Sequence, residues 1–100
     1  MKDFDYKQLD DIIHSRIRLA IMAMLLSVER AEFTFLRDQI KATDGNLGTH
    51  LKKLEDTGYV KVHKHFVDRK PLTDYELTQK GRNAFSRYLE QIESLLPKHT

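Results

Sequence analysis

The spacing of apolar positions changes along the chain, and each change marks an element. Ile12, Ile13, Ile17, Leu19, Ala20, Ile21, Met24, Leu25 and Leu26 cover well over half the circumference of a helix running from about Asp11 or Ser15 to Ser27. A helix apolar on so many sides must be buried on more than one, and a second subunit would supply the extra cover. Val28 to Ala31 are polar and form a connection. Glu32-Phe33-Thr34 reads as a short extended piece, with Thr34 capping a helix over Phe35 to Lys41 that turns Phe35, Leu36 and Ile40 inward. After Ala42-Thr43 a third helix is predicted over 44–57. Thr43 or Asp44 can accept from its orphan N–H groups, and Gly58 supplies its left-handed end. Its strongly apolar residues, Leu47, Leu51 and Leu54, fall within about 60° of one another at 100° per residue. The rest of its surface carries Gly45, Asn46, Thr49, Lys52, Lys53 and Asp56.

Past Gly58 the period drops to two. Val60, Val62, Lys64 and Phe66 alternate with Tyr59, Lys61, His63 and His65, the pattern of a strand rich in aromatic and β-branched residues. Val67-Asp68-Arg69-Lys70-Pro71 is a predicted turn, and Leu72 to Leu77 a second strand. Thr78 caps a last helix over 79–96. There Gly81, Ala84, Phe85, Tyr88, Leu89, Ile92, Leu95 and Leu96 recur at spacings of three and four, and Pro97 stops it. At about 18 residues it would be roughly 27 Å long, more than a small domain needs as a lid. Residues 1–10 form an acidic N-terminal arm in which Phe4, Tyr6 and Leu9 can pack. The order is α-β-α-α-β-β-α. Two helices joined by a tight turn and followed by a hairpin make a winged helix-turn-helix, an α+β fold that is mainly α, in one domain over 1–100.

Charge sharpens this picture. The net charge is only +2, yet residues 1–50 hold 7 Lys/Arg against 8 Asp/Glu while residues 51–100 hold 10 against 7. Lys61, Lys64, Arg69 and Lys70 face Asp68 alone in the segment 61–70, where His63 and His65 also lie. A basic hairpin fits a polyanion. There is no cysteine, which excludes a disulfide framework, a thiolate zinc site and a thiol redox sensor. No run of 18 apolar residues occurs, and the acidic start lacks a signal-peptide core, so a cytoplasmic location is expected.

The runs Asp44-Gly45-Asn46-Leu47-Gly48-Thr49-His50-Leu51-Lys52-Lys53-Leu54-Glu55, Gly58-Tyr59-Val60 and Lys70-Pro71-Leu72-Thr73-Asp74-Tyr75-Glu76-Leu77-Thr78-Gln79-Lys80-Gly81-Arg82 resemble the small stand-alone winged-helix regulators near the MarR and ArsR groups. Ser15-Arg16-Ile17-Arg18-Leu19-Ala20-Ile21 matches the same pattern, so the resemblance spans about residues 10–96. It implies a prokaryotic transcription regulator, dimeric through its terminal helices, with the third helix in a major groove and the hairpin wing on the backbone or minor groove. ArsR-type metal sensors often use cysteines, which are absent here. MarR proteins are usually longer, with more dimerisation helix.

Side-chain chemistry assigns the parts. Asn46 can pair bidentately with adenine, and the Thr49 methyl can meet a thymine methyl. Gly45 and Gly48 each cost helix stability, about 1 kcal/mol relative to Ala, so close approach to a phosphate or to another helix is expected there. Thr43 and His50 flank this surface, His50 nearer the apolar edge. Lys52 and Lys53 suit phosphates or solvent, Lys64 and Lys70 the wing, and Arg69 at the wing tip a minor groove. Arg18 would pair with an acid such as Asp38 or reach a phosphate. The dimer seam is expected to use Ile13, Ile17 and Ile21 with Phe85, Tyr88, Leu89, Ile92 and Leu96, burying on the order of 1,500 Å². Two recognition helices about 34 Å apart would then read a pseudo-palindromic operator in double-stranded DNA. His63 and His65 share a strand face without a carboxylate near them in sequence, so no metal ligand is assigned. No cofactor or catalytic motif is found, and an enzyme is not expected. The principal reading is a dimeric, sequence-specific DNA-binding repressor. The competing one is a winged-helix protein–protein interaction module without specific DNA binding.

Overall fold

A computed structural model describes residues 5–96. The assignments that fall on Phe4 and Pro97 lie outside that range. After a single 3-10 turn at Tyr6–Gln8, the elements run α1 (Arg16–Leu26), β1 (Ala31–Glu32), α2 (Phe33–Ile40), α3 (Asp44–Thr57), β2 (Val60–Val67), β3 (Lys70–Leu77) and α4 (Gln79–Leu95). The winged helix-turn-helix order is the observed one. Among the described residues no helix is long and apolar enough to cross a membrane.

α1 is the hub. Its first turn is capped by Ser15, whose side chain accepts from the Arg18 N–H. Ile21, Met22 and Leu25 are wholly buried, while Ile17, Leu19, Ala20 and Met24 are partly buried. The helix touches α2, α3, β3 and α4. Four surrounding elements thus pack on it within one chain, while Ile17, Leu19, Ala20 and Met24 stay partly exposed and Leu26 is 37% exposed.

α2 begins two residues earlier than the sequence pattern suggests. The chain passes from β1, where Ala31 pairs with Tyr75 and Glu32 with Asp74, straight into the helix at Phe33. Glu32 occupies the cap position without a side-chain cap bond, and Thr34 is a first-turn residue rather than the cap. That strand pairing fixes the rotation of α2. Phe33 therefore points toward Tyr75, with ring centroids 6.5 Å apart, and Leu36 is fully buried. Phe35, expected inward, is 45% exposed. The inward set is Phe33, Leu36 and Ile40, at the i, i+3, i+7 spacing of one helix face.

α2 closes at Lys41, which adopts the left-handed conformation, and α3 is capped two residues on by Thr43. The Thr43 hydroxyl accepts from the Asn46 N–H at 3.2 Å. At the far end Gly58 has φ 85°, and the Tyr59 N–H returns to the Leu54 carbonyl at 2.9 Å. The Lys80 ammonium donates to the Thr57 carbonyl at 2.8 Å, placing a cation at the negative end of the helix.

The antiparallel sheet has the order β1-β3-β2. β2 and β3 pair from Val60 with Leu77 to Val67 with Lys70, so the turn is only Asp68-Arg69 and Pro71 lies within the strand. Asp68 and Arg69 both have positive φ, 52° and 66°, the geometry of the two-residue turn that matches strand twist. Val67 and Lys70 flank that turn as a hydrogen-bonded pair, so the next pair, Phe66 with Pro71, is a non-bonded one. The nitrogen of Pro71 faces the open edge, because β1 pairs only with Asp74 and Tyr75, and the ladder loses no bond there.

Thr78 bonds to the Gly58 carbonyl and accepts from the Gly81 N–H, tying the end of α3 to the start of α4. Gly81 lies so close to the Tyr59 carbonyl that an added Cβ would sit 2.3 Å from its oxygen. Ala84, Phe85 and Tyr88 bury the inner face of α4.

Candidate nucleic-acid interface

Leu47, Leu51 and Leu54 are buried to within 1% of full burial and hold α3 on the core by one edge. That anchorage turns Thr43, Gly45, Asn46, Thr49, Lys52 and Lys53 outward, and all are exposed. Among the described residues, an added Cβ at Gly45 or at Gly48 would meet nothing within 4 Å. Close packing among the described residues therefore does not account for either glycine. The exposed face of α3 has small residues in its first two turns and reaches cationic ones beyond them.

The helix is held in place by two arginines. Arg37, near the end of α2, bonds Asp44 Oδ1 and Asp38 Oδ1, both at 3.0 Å, and so bridges α2 to the first turn of α3. Arg18 of α1 donates to His50 Nδ1 at 2.9 Å and to the carbonyls of Ile12 and Asp11. Arg18 thus bonds to His50 and to backbone carbonyls rather than to Asp38. Since the guanidinium is only a donor, Nδ1 must be the unprotonated nitrogen of His50. Burial, and then the Arg18 charge, lower the His50 pKa below its usual 6.5. His50 is a half-buried tie between α3 and α1, set back from the exposed face.

The cations divide into two groups. Lys52 pairs with Asp56 at 3.1 Å and with Glu55 at 3.7 Å, one turn further along α3. The hydrogen bond to Asp56 raises its pKa. Lys53, Lys64, Arg69 and Lys70 take part in no ion pair among the described residues, and all four are exposed. Arg69 sits at the wing tip in the left-handed region, which costs a non-glycine residue about 1 kcal/mol or more.

The outer face of the wing carries a pattern that sequence distance hid. His63 Nε2 lies 2.7 Å from Glu76 Oε1, and His65 Nε2 lies 2.8 Å from Asp74 Oδ2. Both pairs run diagonally across the β2–β3 ladder, since His63 is opposite Asp74 and His65 opposite Leu72. The expectation that no carboxylate stands near these histidines is corrected: the hairpin register supplies one to each. The bond to His63 lowers the Glu76 pKa. Among the described residues no group of three or more such side chains is arranged to hold a metal ion.

The residues expected at a dimer seam separate into two sets. Ile13, Ile21, Phe85 and Tyr88 are at most 5% exposed and belong to the core of the single chain. Ile17 and Ile92 are partly buried, whereas Leu89 and Leu96 are exposed, as is Leu95. Sequence reasoning missed Arg37 as the brace of the helix-turn-helix. Its spacing of seven from Asp44, across a predicted turn, was the available signal.

An anchored helix with an open, partly cationic face, followed by a cationic hairpin, defines a DNA-binding module of the winged-helix class. The chain belongs to that family: a model described as winged helix DNA-binding domain matches residues 17–96. It is a small winged-helix regulator of transcription. The uncharacterised protein MJ0432 of Methanocaldococcus jannaschii is 40% identical over 84 residues, which are 84% of this chain and 91% of that one. The transcriptional regulator homologue protein of Pyrococcus horikoshii OT3 is 34% identical, with a TM-score of 0.79 over 84% of this chain and 83% of that chain. Diamide-treated YodB of B. subtilis shares the fold, with a TM-score of 0.76 at 19% identity and 88% of both chains covered.

Proposed function

We propose that this DNA-binding regulator is a sequence-specific homodimer that represses transcription from a pseudo-palindromic operator. α3 enters the major groove by its first two turns, and the wing lies on the adjacent backbone and minor groove. The observation that carries the reading is the open space at Gly45 and Gly48. Two helix-weakening residues without an intramolecular packing role leave a low surface beside Asn46 and Thr49, where a duplex can come close. Asn46 and Thr49 read base edges, Lys53 and the wing lysines take phosphates, and Arg69 enters the minor groove. Lys52 is held by Asp56 and Glu55 and contributes less than Lys53.

The dimer is built on α4. Leu89, Leu95 and Leu96, with Ile92 beside them, form an apolar strip that the described residues leave uncovered. Ile17 adds to it from α1. A two-fold contact through this strip sets the spacing of the two α3 helices, and a dimer seated on a promoter represses by excluding polymerase. The same reading places the protein in the cytoplasm, with access to DNA.

A mobility shift on the upstream region of the protein's own gene tests the proposal. Wild type should bind with a steep salt dependence. Asn46→Ala should change sequence preference, whereas Arg69→Ala should weaken all duplexes and lower the salt slope by about one. Salt-independent or absent DNA binding would leave the protein–protein module as the better reading. Sedimentation of wild type as a monomer at micromolar concentration would remove the dimer.

A further inference from the structure

Phe66 is 75% exposed, near the end of β2. Its cross-strand partner is Pro71, one pair from the tip. The same face of the wing carries Val60 and Val62 at its base, buried and half-buried, and then Lys64 and Phe66, both exposed. Aromatic residues favour strands because they pack on pleated neighbours. Beyond Val62 this face has left the body, and the ring covers none of the core. Its company is cationic instead. Lys64 is two positions back on the same face, Arg69 and Lys70 follow at the turn, and none of the three has an ion pair among the described residues. Asp68 is the sole acid in the segment 61–70. An apolar side chain with Lys64 on its own face and Arg69 and Lys70 at the adjoining tip is poorly matched to an apolar protein surface, which would have to desolvate those charges. It is well matched to a duplex, where the cations meet phosphates and the ring meets sugars and base edges.

We propose that Phe66 is a minor-groove wedge, inserted at a base step beside the α3 site and next to Arg69, while Lys64 and Lys70 hold the flanking phosphates. This rests on the reading that α3 and the wing bind duplex DNA, and it adds a second source of specificity. Apolar wedges partly unstack a step and kink the duplex by about 20–90° toward the major groove. Pyrimidine–purine steps unstack most readily, so the wing selects a TA or CA step that no hydrogen bond reads.

The test uses a duplex containing the operator, end-labelled for energy transfer and carrying 2-aminopurine at the step beneath the wing. Wild type should shorten the end-to-end distance and raise 2-aminopurine fluorescence. Phe66→Ala should lose both signals and weaken binding about 5- to 100-fold, the range for losing one aromatic–base contact. Its salt slope should match wild type, because no phosphate contact is removed. Phe66→Leu, still an apolar wedge, should keep most of the bend. Since the ring is outside the core, both variants should melt with wild type. A bend and a fluorescence rise that survive in Phe66→Ala overturn the wedge, as does a change of oligomeric state in that variant, which would make Phe66 a protein contact. Wild type failing to bind any duplex overturns the parent reading itself, a result distinct from tight but unbent binding.

Discussion

Replacing both Gly45 and Gly48 with Ala separates a residue kept for the fold from one kept for DNA. Neither position has a neighbour within 4 Å of an added Cβ, so no clash opposes the change. Both lie within α3, where Ala is favoured over Gly by about 0.8–1.0 kcal/mol at an interior position. Gly45 is the second residue of the helix and should return roughly half of the interior value, Gly48 nearly all of it. The sum is about 1–1.5 kcal/mol, which for a chain of this size raises Tm by about 5–10 °C. The double variant should therefore be the more stable protein and the weaker DNA binder, with affinity for the upstream duplex down by about tenfold or more, a cost of ~1.4 kcal/mol or more. Thermal melting followed by circular dichroism reads the first effect and mobility shift the second. Ser86→Ala, on the exposed side of α4, is the control: it should raise Tm slightly and leave DNA binding alone. A fall in Tm would mean that α3 packs against something the single chain lacks. A rise in Tm with unchanged affinity would refute the claim that DNA approaches this face.

The other predictions concern the supports of that face. Gly81→Ala places a Cβ 2.3 Å from the Tyr59 carbonyl oxygen, and since the obstacle is backbone, urea denaturation should show a loss of about 2–3 kcal/mol or no folding. Arg69→Gly relaxes the left-handed turn residue and completes the favoured Asp-Gly pair, so stability should rise by about 1 kcal/mol while the salt slope of DNA binding falls by about one. The folded pKa of His50 lies below its usual 6.5, so the unfolded chain binds the proton more readily. The stability that His50 contributes is complete above 6.5 and is lost as pH falls through the folded value. Urea midpoints from pH 8 to pH 5 should fall more steeply for wild type than for His50→Gln, and parallel curves would dismiss the Arg18 tie.

The element order was readable because each element carries its own local signal. Thr43 and Gly58 mark α3 by the only means a chain has to satisfy helix ends, a side-chain acceptor and a left-handed residue. The alternation over β2 and β3 survives intact in the register. What misled the reading was tertiary. Thr34 has the chemistry of a cap, but the pairing of Glu32 with Asp74 starts α2 earlier and turns Phe35 out. Pro71 has the chemistry of a turn, yet an unpaired strand edge accepts it. Arg18 and Arg37 each had several acids or carbonyls in reach along the sequence, and only the packing of α1, α2 and α3 chooses among them. The histidines of the wing gained their carboxylates from strand register, which no spacing along one strand reveals.

The proposed DNA surface is drawn from the residues that the core and its ties leave unexplained. Leu47, Leu51 and Leu54 are fully accounted for by burial, and His50 by its bond to Arg18. Gly45, Gly48, Arg69 and Phe66 are not, since two weaken a helix, one occupies an unfavourable backbone region and one leaves a large apolar ring in water. Each is a local cost to the free protein of about 1 kcal/mol, so together they are a sizeable share of the stability of a small domain. Costs of the same kind occur elsewhere, at Lys41 in the left-handed region and at the exposed Tyr6 and Phe35, but these four lie on the first turns of α3 and on the end of the wing. That coincidence unites the glycine and wedge arguments: a duplex that bends around Phe66 needs the low surface at Gly45 and Gly48 to remain seated on α3. The Gly45 and Gly48 double variant combined with Phe66→Ala should therefore lose less affinity than the two losses added, because a duplex already held off α3 has less to gain from the wedge.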